Sequence, residues 1–579
     1  MTVKDITQIN PYDYRQTSRR QVVYGTHGMA ASSQQMATLA GMEIMKKGGN
    51  AVDAAIAMAI ALTVTEPVSN GLGGDAFAIL WTKDGLRGLN ASGPAGSLAD
   101  AAALKAAGYE AMPDYGMKPV TVPGIPSAWI TLSRAYGKLP FKVLFEPAIR
   151  LAEEGFPVTP VIAGMWQQAF DLYTRLREEA VLKSKSRKDG HHPGEGTSND
   201  ERSQINNEGY EGSEIAPESF DAWFKIYAPE GRAPRAGEIF KNPALAGNLR
   251  ELADTKCESF YRGSLAGKIA AFSAANGGFI TAEDLASYQP EWVTPVSVRY
   301  RDYDIWEIPP NGHGIIALMT LNMLSQEQMA DQEDIGDCHR AIEALKLAYA
   351  DGKRYVADIR RMSVTVDQLL DENYAAARRS LIGDRALEPF AGQPAGGGTV
   401  YLCTADDEGN MVSYIQSNYW GFGSGMVVPG TSIALHNRGR EFSLDPSADN
   451  YLLPGKKPYH TIIPGFITRD GEPVGPFGVM GGYMQPQGHV QVLRNMIDFG
   501  MNPQQALDRP RWQWVGGKKV LVEYDFPLAW YQRLQEMGHE IYYSDDVGSF
   551  GRGQIILRRQ DGLLVGGTEP RADGAVLGW

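Results

Sequence analysis

The chain has 579 residues, 43% of them hydrophobic and 21% charged, and a net charge of −13 from 55 Lys and Arg against 68 Asp and Glu. Its length supports a large buried core, and its 65 Gly and 34 Pro follow no period, which excludes collagen, coiled coil and wholesale disorder. An acidic chain without a long basic run is a poor match for a phosphate backbone, so nucleic acid is excluded as a main partner.

The first residues, MTVKDITQINPYDYRQTSRRQ, are polar and lack the apolar core of a secretory signal. Cys257, Cys338 and Cys403 are widely spaced, odd in number and free of any CxxC pattern, which suits a reducing compartment better than a disulfide framework or a zinc site. The longest apolar run, Ala54 to Val64, is shorter than the ~20 residues of a membrane span. These features predict a soluble, cytoplasmic protein with no membrane partner.

Helical periodicity covers Ser32 to Lys47 and Ala51 to Thr63, with Gly48-Gly49-Asn50 stopping one helix and capping the next. Gly71-Leu72-Gly73-Gly74-Asp75-Ala76 fits the loose GxGxxA form of a dinucleotide fingerprint, but the helix precedes it and the strand-like AFAILWT follows. That order is the reverse of what the motif needs. Lys183 to Glu214 is polar, Gly-rich and nearly free of aliphatics, and is expected to be a disordered surface insertion. Its His191-His192 pair reads as part of a solvated loop rather than a metal site. A further helix is predicted over Asp334 to Ala357. The chain up to about residue 385 therefore reads as mainly helical.

The texture changes between residues 385 and 399. TVYLCTA, MVSYIQSN, HTIIPGFI and QIILRR are β-rich and separated by turn signals such as Asp406-Asp407-Glu408-Gly409-Asn410, with helices returning at Gly488 to Met496 and Leu528 to Glu536. Strands preceded and interrupted by helices suggest a layered α+β body. No HExxH, P-loop, EF-hand or GxSxG elbow occurs, and the nine His are scattered, so neither a metal nor a cofactor is expected.

Gly396-Gly397-Gly398-Thr399-Val400-Tyr401 admits two readings. One is a glycine loop entering a strand. In the other, the Thr399 hydroxyl attacks the unhindered Gly398 carbonyl, the acyl group shifts from nitrogen to oxygen, and water cuts the ester. The new N-terminal amine of Thr399, with a pKa near ~8, then serves as base for its own hydroxyl.

The run GGGTVYLCTADDEGNMVSYIQSNYWGFGSGMVVPGTSIALHNRGREF resembles the start of the small subunit of the gamma-glutamyltransferases (gamma-glutamyl transpeptidases), which are self-cleaving N-terminal nucleophile hydrolases. The resemblance continues through LLPGKKPYHTIIPGF, Gly481-Gly482, DFGMNPQQALDRPRW and GTEPRADG. Upstream it includes GMAASSQQMATLAGMEIMKKGGNAVDAAIAMAIALTVTEPVSNGLGGDAFAIL. It implies a four-layer αββα sandwich, with residues 1–398 as a large subunit and 399–579 as a small subunit released by cleavage between Gly398 and Thr399. Assembly of such heterodimers into a homo-oligomer is left open.

The same resemblance makes Thr399 the nucleophile, Ser417 its supporting hydroxyl, Gly481 and Gly482 the oxyanion hole, and Glu441 the acid that holds a substrate α-ammonium. It also marks departures. Asn90 stands where glutathione-specific members carry an Arg that clamps a carboxylate, His460 and Thr461 replace paired serines, and Arg438 replaces a pocket glutamine. The lid between Phe442 and Pro458 is short. These changes fit the lidless, cytoplasmic branch, which includes amidohydrolases and cephalosporin acylases. Arg438 or His460 would replace the missing Arg, with a structural Arg438–Glu441 salt bridge as the alternative for the former.

The expected activity is hydrolysis, more than transfer, of γ-glutamyl or similar carboxylate-bearing small-molecule amides through a Thr399 ester. The alternatives are an amidohydrolase or acylase for a non-glutamyl amide (oxamate-like or cephalosporin-type), and a non-cleaving binding protein.

Overall fold

A computed structural model describes residues 20–188, 215–327, 333–389 and 398–579. Most of the predicted insertion, together with His191-His192 and Gly396-Gly397, lies outside the described residues. Its first residues do not belong to a loop: the helix Pro160–Lys188 runs through them, so the predicted boundary at Lys183 is too early.

Two seven-stranded antiparallel sheets form the centre. The first contains, in order, Ala575–Gly578, Gly28–Ser32, Gly398–Asp406, Met411–Tyr419, Asp75–Thr82, Gly85–Ala91 and Glu291–Val293. The second contains Val23–Gly25, Leu564–Thr568, Arg552–Arg558, Glu472–Met480, Gly465–Arg469, Tyr303–Glu307 and Val296–Tyr300. Half of these strands precede residue 385, which corrects the mainly helical reading of that region. GMAAS, built of small residues, gives little strand signal by itself, yet it lies between two ladders and every residue is buried.

Alternation of side chains fixes the layers. Phe77, Ile79, Tyr401, Cys403, Ile415, Phe466, Met480 and Ile556 face one another between the sheets. The alternate residues Ala76, Ala78, Val400, Leu402, Val412 and Tyr414 face outward onto the helices Gln35–Lys46, Ala51–Thr65 and Ile125–Tyr136. Ile305, Phe477, Val479 and Ile555 do the same on the second sheet, against Gly314–Leu324, Ile335–Tyr355 and Gln485–Ile497. The fold is the expected four-layer αββα sandwich. Gly478 lets the sheets close together, because a Cβ there would meet the Tyr401 ring at 2.5 Å.

The apolar run Ala54 to Val64 lies in a helix with no exposed residue, capped by reciprocal bonds between Asn50 and Asp53. Its apolarity reflects burial on every side. No helix among the described residues is long and apolar enough to cross a membrane. The predicted strand HTIIPGFI begins only at Gly465. His460 makes a single bridge to Gly312, and Pro464 has no N–H to offer a ladder. His460 and Thr461 therefore sit beyond the sheet rather than within it.

Candidate active site

Thr399 is the second residue of its strand and is fully buried. The register with Met411–Tyr419 slips here: Gly398 lies opposite Tyr419, but Val400 lies opposite Gln416. The extra residue bulges the partner strand, and Tyr419 takes φ 76°, a left-handed conformation unfavourable for an aromatic side chain. The bulge brings Ser417 to Thr399, with Thr399 Oγ1 3.1 Å from Ser417 Oγ. Ser417 Oγ accepts the Tyr419 N–H at 2.7 Å and Arg438 Nη2–H at 3.4 Å. Either of the Thr399 and Ser417 hydroxyls can donate to the other.

Arg438 is the cation of the site. It is fully buried, donates from Nη1 to Thr461 Oγ1 at 2.6 Å, and lies 3.9 Å above the centre of the Tyr419 ring. Its Nε–H meets no acceptor among the described residues, and the Asp75 carboxylate is 4.0 Å away. The alternative Arg438–Glu441 salt bridge is not formed. Arg440 makes that pair instead, with Nη1 3.0 Å from Glu441 Oε1 and Nε 2.6 Å from Asp114. Glu441 also accepts from the hydroxyls of Tyr419 and, at 2.6 Å, Tyr483.

Of the two residues expected to replace the missing arginine, only Arg438 carries charge. Burial, then the neighbouring Arg438 charge, pushes the His460 imidazole well below its ordinary pKa, and its Nε2–H donates to Asp75 at 2.9 Å. Asn90 is also committed. Its Nδ2 donates to Asn311 at 3.0 Å and its Oδ1 accepts from Ser92 Oγ at 2.7 Å and Ser92 N–H at 3.0 Å. Gly481 and Gly482 turn the strand Glu472–Met480 into the helix Gln485–Ile497 with φ of 141° and 57°, values that suit residues without a Cβ.

Among the described residues, the side chains grouped with metal-ligand chemistry are His339 and Glu343, on the helix Ile335–Tyr355, and His539, in the turn before the strand Glu540–Tyr543. The two imidazoles hydrogen-bond each other at 2.8 Å, and the Lys346 ammonium lies 2.7 Å from Glu343. The cation already beside that carboxylate is a lysine.

A buried threonine hydroxyl opposite a strand bulge, backed by a second hydroxyl and a buried guanidinium, is an arrangement that can serve acyl transfer. The model of the gamma-glutamyltranspeptidase family matches residues 37–579. The chain belongs to that family. It is an amide hydrolase of the family's N-terminal nucleophile type. A glutathione hydrolase-like proenzyme of Bacillus subtilis is 32% identical, the match spanning 96% of this chain and 99% of the relative. An oxamate amidohydrolase proenzyme of Klebsiella pneumoniae is 34% identical over the same shares. The crystal structure of a cephalosporin acylase from Bacillus halodurans superposes with a TM-score of 0.88 at 51% identity, covering 99% of both chains.

Sequence reasoning missed Asp75, His436, Tyr419, Arg440 and Tyr483. Asp75, Tyr419, His436 and Arg440 all lie in runs that carry the family resemblance, but nothing local singles them out as site residues.

Proposed function

We propose that this protein cleaves itself between Gly398 and Thr399, giving fragments 1–398 and 399–579, and then hydrolyses amides whose acyl part carries a free carboxylate. The observation behind this reading is the sequence of contacts from Thr399 through Ser417 to Arg438. One hydroxyl separates nucleophile from guanidinium, so the scissile carbonyl and the carboxylate belong to one short acyl chain.

After cleavage, the Thr399 amine takes the proton of its own hydroxyl as Oγ1 attacks the substrate carbonyl. The N–H groups of Gly481 and Gly482 receive the negative charge that develops on the oxygen. The amine returns its proton to the leaving nitrogen, the C–N bond breaks, and a Thr399 ester remains. Water, deprotonated by the same amine, attacks the ester and releases the acid.

The acyl group this pocket suits has a carboxylate but no α-ammonium. Glu441, the acid that would hold an ammonium, is already neutralised by Arg440 and bonded by two tyrosines. A γ-glutamyl donor is the second reading, favoured by the presence of Glu441 beside the site.

Sequencing of the smaller fragment should begin TVYLCTADDEGN, and Thr399→Ala should remain one inactive chain. A cut elsewhere removes Thr399 as nucleophile, and an intact wild-type chain favours the non-cleaving alternative. Glutaryl, oxamyl and γ-glutamyl amides compared on the mature enzyme decide the acyl class. A clear preference for the γ-glutamyl donor would reverse the order of the two readings.

A further inference from the structure

A buried guanidinium needs compensating charge. Glu441 is bound to Arg440, which leaves Asp75 facing Arg438. Asp75 opens its strand directly across from Ser417 and is fully buried. Its Oδ1 accepts the Gly93 N–H at 3.4 Å. Its Oδ2 lies 2.9 Å from His460 Nε2, 3.5 Å from His436 Nδ1 and 4.0 Å from Arg438 Nε.

The tautomers of both histidines follow from their other partners. His460 Nδ1 accepts the Ile462 N–H at 3.4 Å, so its Nε2 donates to Asp75. His436 Nε2 donates to the Thr121 carbonyl at 2.9 Å, and its Nδ1 accepts the Arg438 N–H at 3.2 Å. The one lone pair of His436 Nδ1 is taken by the Arg438 N–H, so His436 lies 3.5 Å from Asp75 Oδ2 without donating to it. Asp75 is held near Arg438 but kept from direct contact with it, with the His460 N–H favouring its charge and burial favouring its proton.

We propose that Asp75 is the resident counter-ion of Arg438 and gives up that role by taking a proton when a substrate carboxylate arrives, so that an anionic acyl donor and one proton enter the pocket together. This rests on the reading of Arg438 as the carboxylate clamp. Two carboxylates cannot both stay ionised against one guanidinium in a dry pocket. Burial already pushes Asp75 up to about 7, against the opposing pull of Arg438, the Gly93 N–H and Lys457.

The other titratable groups around Asp75 keep their charge state as it titrates. Burial first, then Arg438, lowers His436 to about 3 and His460 well below its ordinary value. Burial likewise keeps His313 neutral and the Tyr261 and Tyr288 phenols protonated, and Lys457 is paired with Glu291 at 3.0 Å.

Below pH 7 Asp75 is protonated before the donor binds, and binding needs no proton. Above pH 7 the proton must be taken up, and KM for an anionic donor rises by up to about tenfold per pH unit. A neutral donor shows no such slope. Titration of the Thr399 amine affects both donors alike and cancels in their ratio.

The test measures KM for glutaryl-p-nitroanilide and for the uncharged pentanoyl-p-nitroanilide from about pH 6 to about pH 9, in the mature wild type and in Asp75→Asn, whose amide can still accept from His460. The wild-type KM ratio should climb above pH 7. In Asp75→Asn the climb should vanish, with the glutaryl KM at high pH falling below that of the wild type. A climb that persists in Asp75→Asn overturns the proposal. If the variant does not mature, the wild type decides, since a ratio flat with pH overturns it equally. Arg438→Gln separates the two readings. A glutaryl preference that survives this change overturns the clamp itself, whereas a clamp that holds with a flat wild-type ratio overturns only the role of Asp75.

Discussion

Two buried clusters of charge in this protein are built on opposite plans. Near the C-terminal end, Arg511 and Arg571 face Glu569 and Glu523 in balanced pairs. Arg511 lies 2.8 Å and Arg571 2.6 Å from Glu569, and Arg571 also donates from Nε to Glu523 at 2.6 Å. The guanidiniums further hold the carbonyls of Phe550, Gly551, Leu507 and Arg509. At the candidate site, one guanidinium faces one carboxyl at 4.0 Å without direct contact, and an imidazole nitrogen lies 3.5 Å from the same carboxylate oxygen. The first cluster spends its charge on fastening turns. The second leaves its charge without a direct ion pair, which on the proposed reading is kept for a ligand.

Substitutions that remove one partner should tell these plans apart, and the largest effect belongs to the balanced cluster. Arg571→Met leaves Glu523 without its cation and Glu569 with Arg511 alone, and should cost about 3–5 kcal/mol, read as a lowered denaturation midpoint. Burial alone would raise the Glu569 pKa, but Arg511 and Arg571 hold it below the ordinary glutamate value. The stabilisation is therefore complete at neutral pH and lost as pH falls through that lowered value.

Arg438→Gln should behave in the opposite way. KM for a carboxylate-bearing donor should rise about ten- to a hundredfold, the worth of a charge-assisted bond of roughly 1.5–3 kcal/mol, while the denaturation midpoint holds or rises. A marked fall in stability with KM unchanged would place Arg438 among the fastening residues and erase the contrast. The smallest effect is expected at Asn90, where Asn90→Ala leaves Asn311 and Ser92 short of a partner at a cost of about 1–2 kcal/mol. Asn90→Arg should disturb this network rather than create a clamp. Improved turnover of glutathione by that variant would show that position 90 faces the donor after all.

Much of the scaffold was legible in the sequence because its signals are local. The Asn50 cap, the period of the Ile335–Tyr355 helix, and the alternation of Val400 to Cys403 each follow from neighbours a few residues apart. Gly28–Ser32 was hidden because its strand character comes from the ladders on either side, not from its small side chains. At the site, Thr399 and Ser417 were visible through their resemblance to a family pattern. The exchange of Arg440 for Arg438 as partner of Glu441 was not, since two arginines two residues apart look alike until the backbone aims them.

The sequence by itself determined the strand that opens at Thr399, the alternation of a few strands such as TVYLCTA and MVSYIQSN, and the family to which the chain belongs. Only the tertiary structure decided which groups carry charge. Asp75 and His460 lie 385 residues apart in the chain yet 2.9 Å apart in space, with His436 and Arg438 closing around them. Protonation depends on burial and on distances of a few ångströms between such groups, and neither is fixed until the sheets and loops that carry them have packed together.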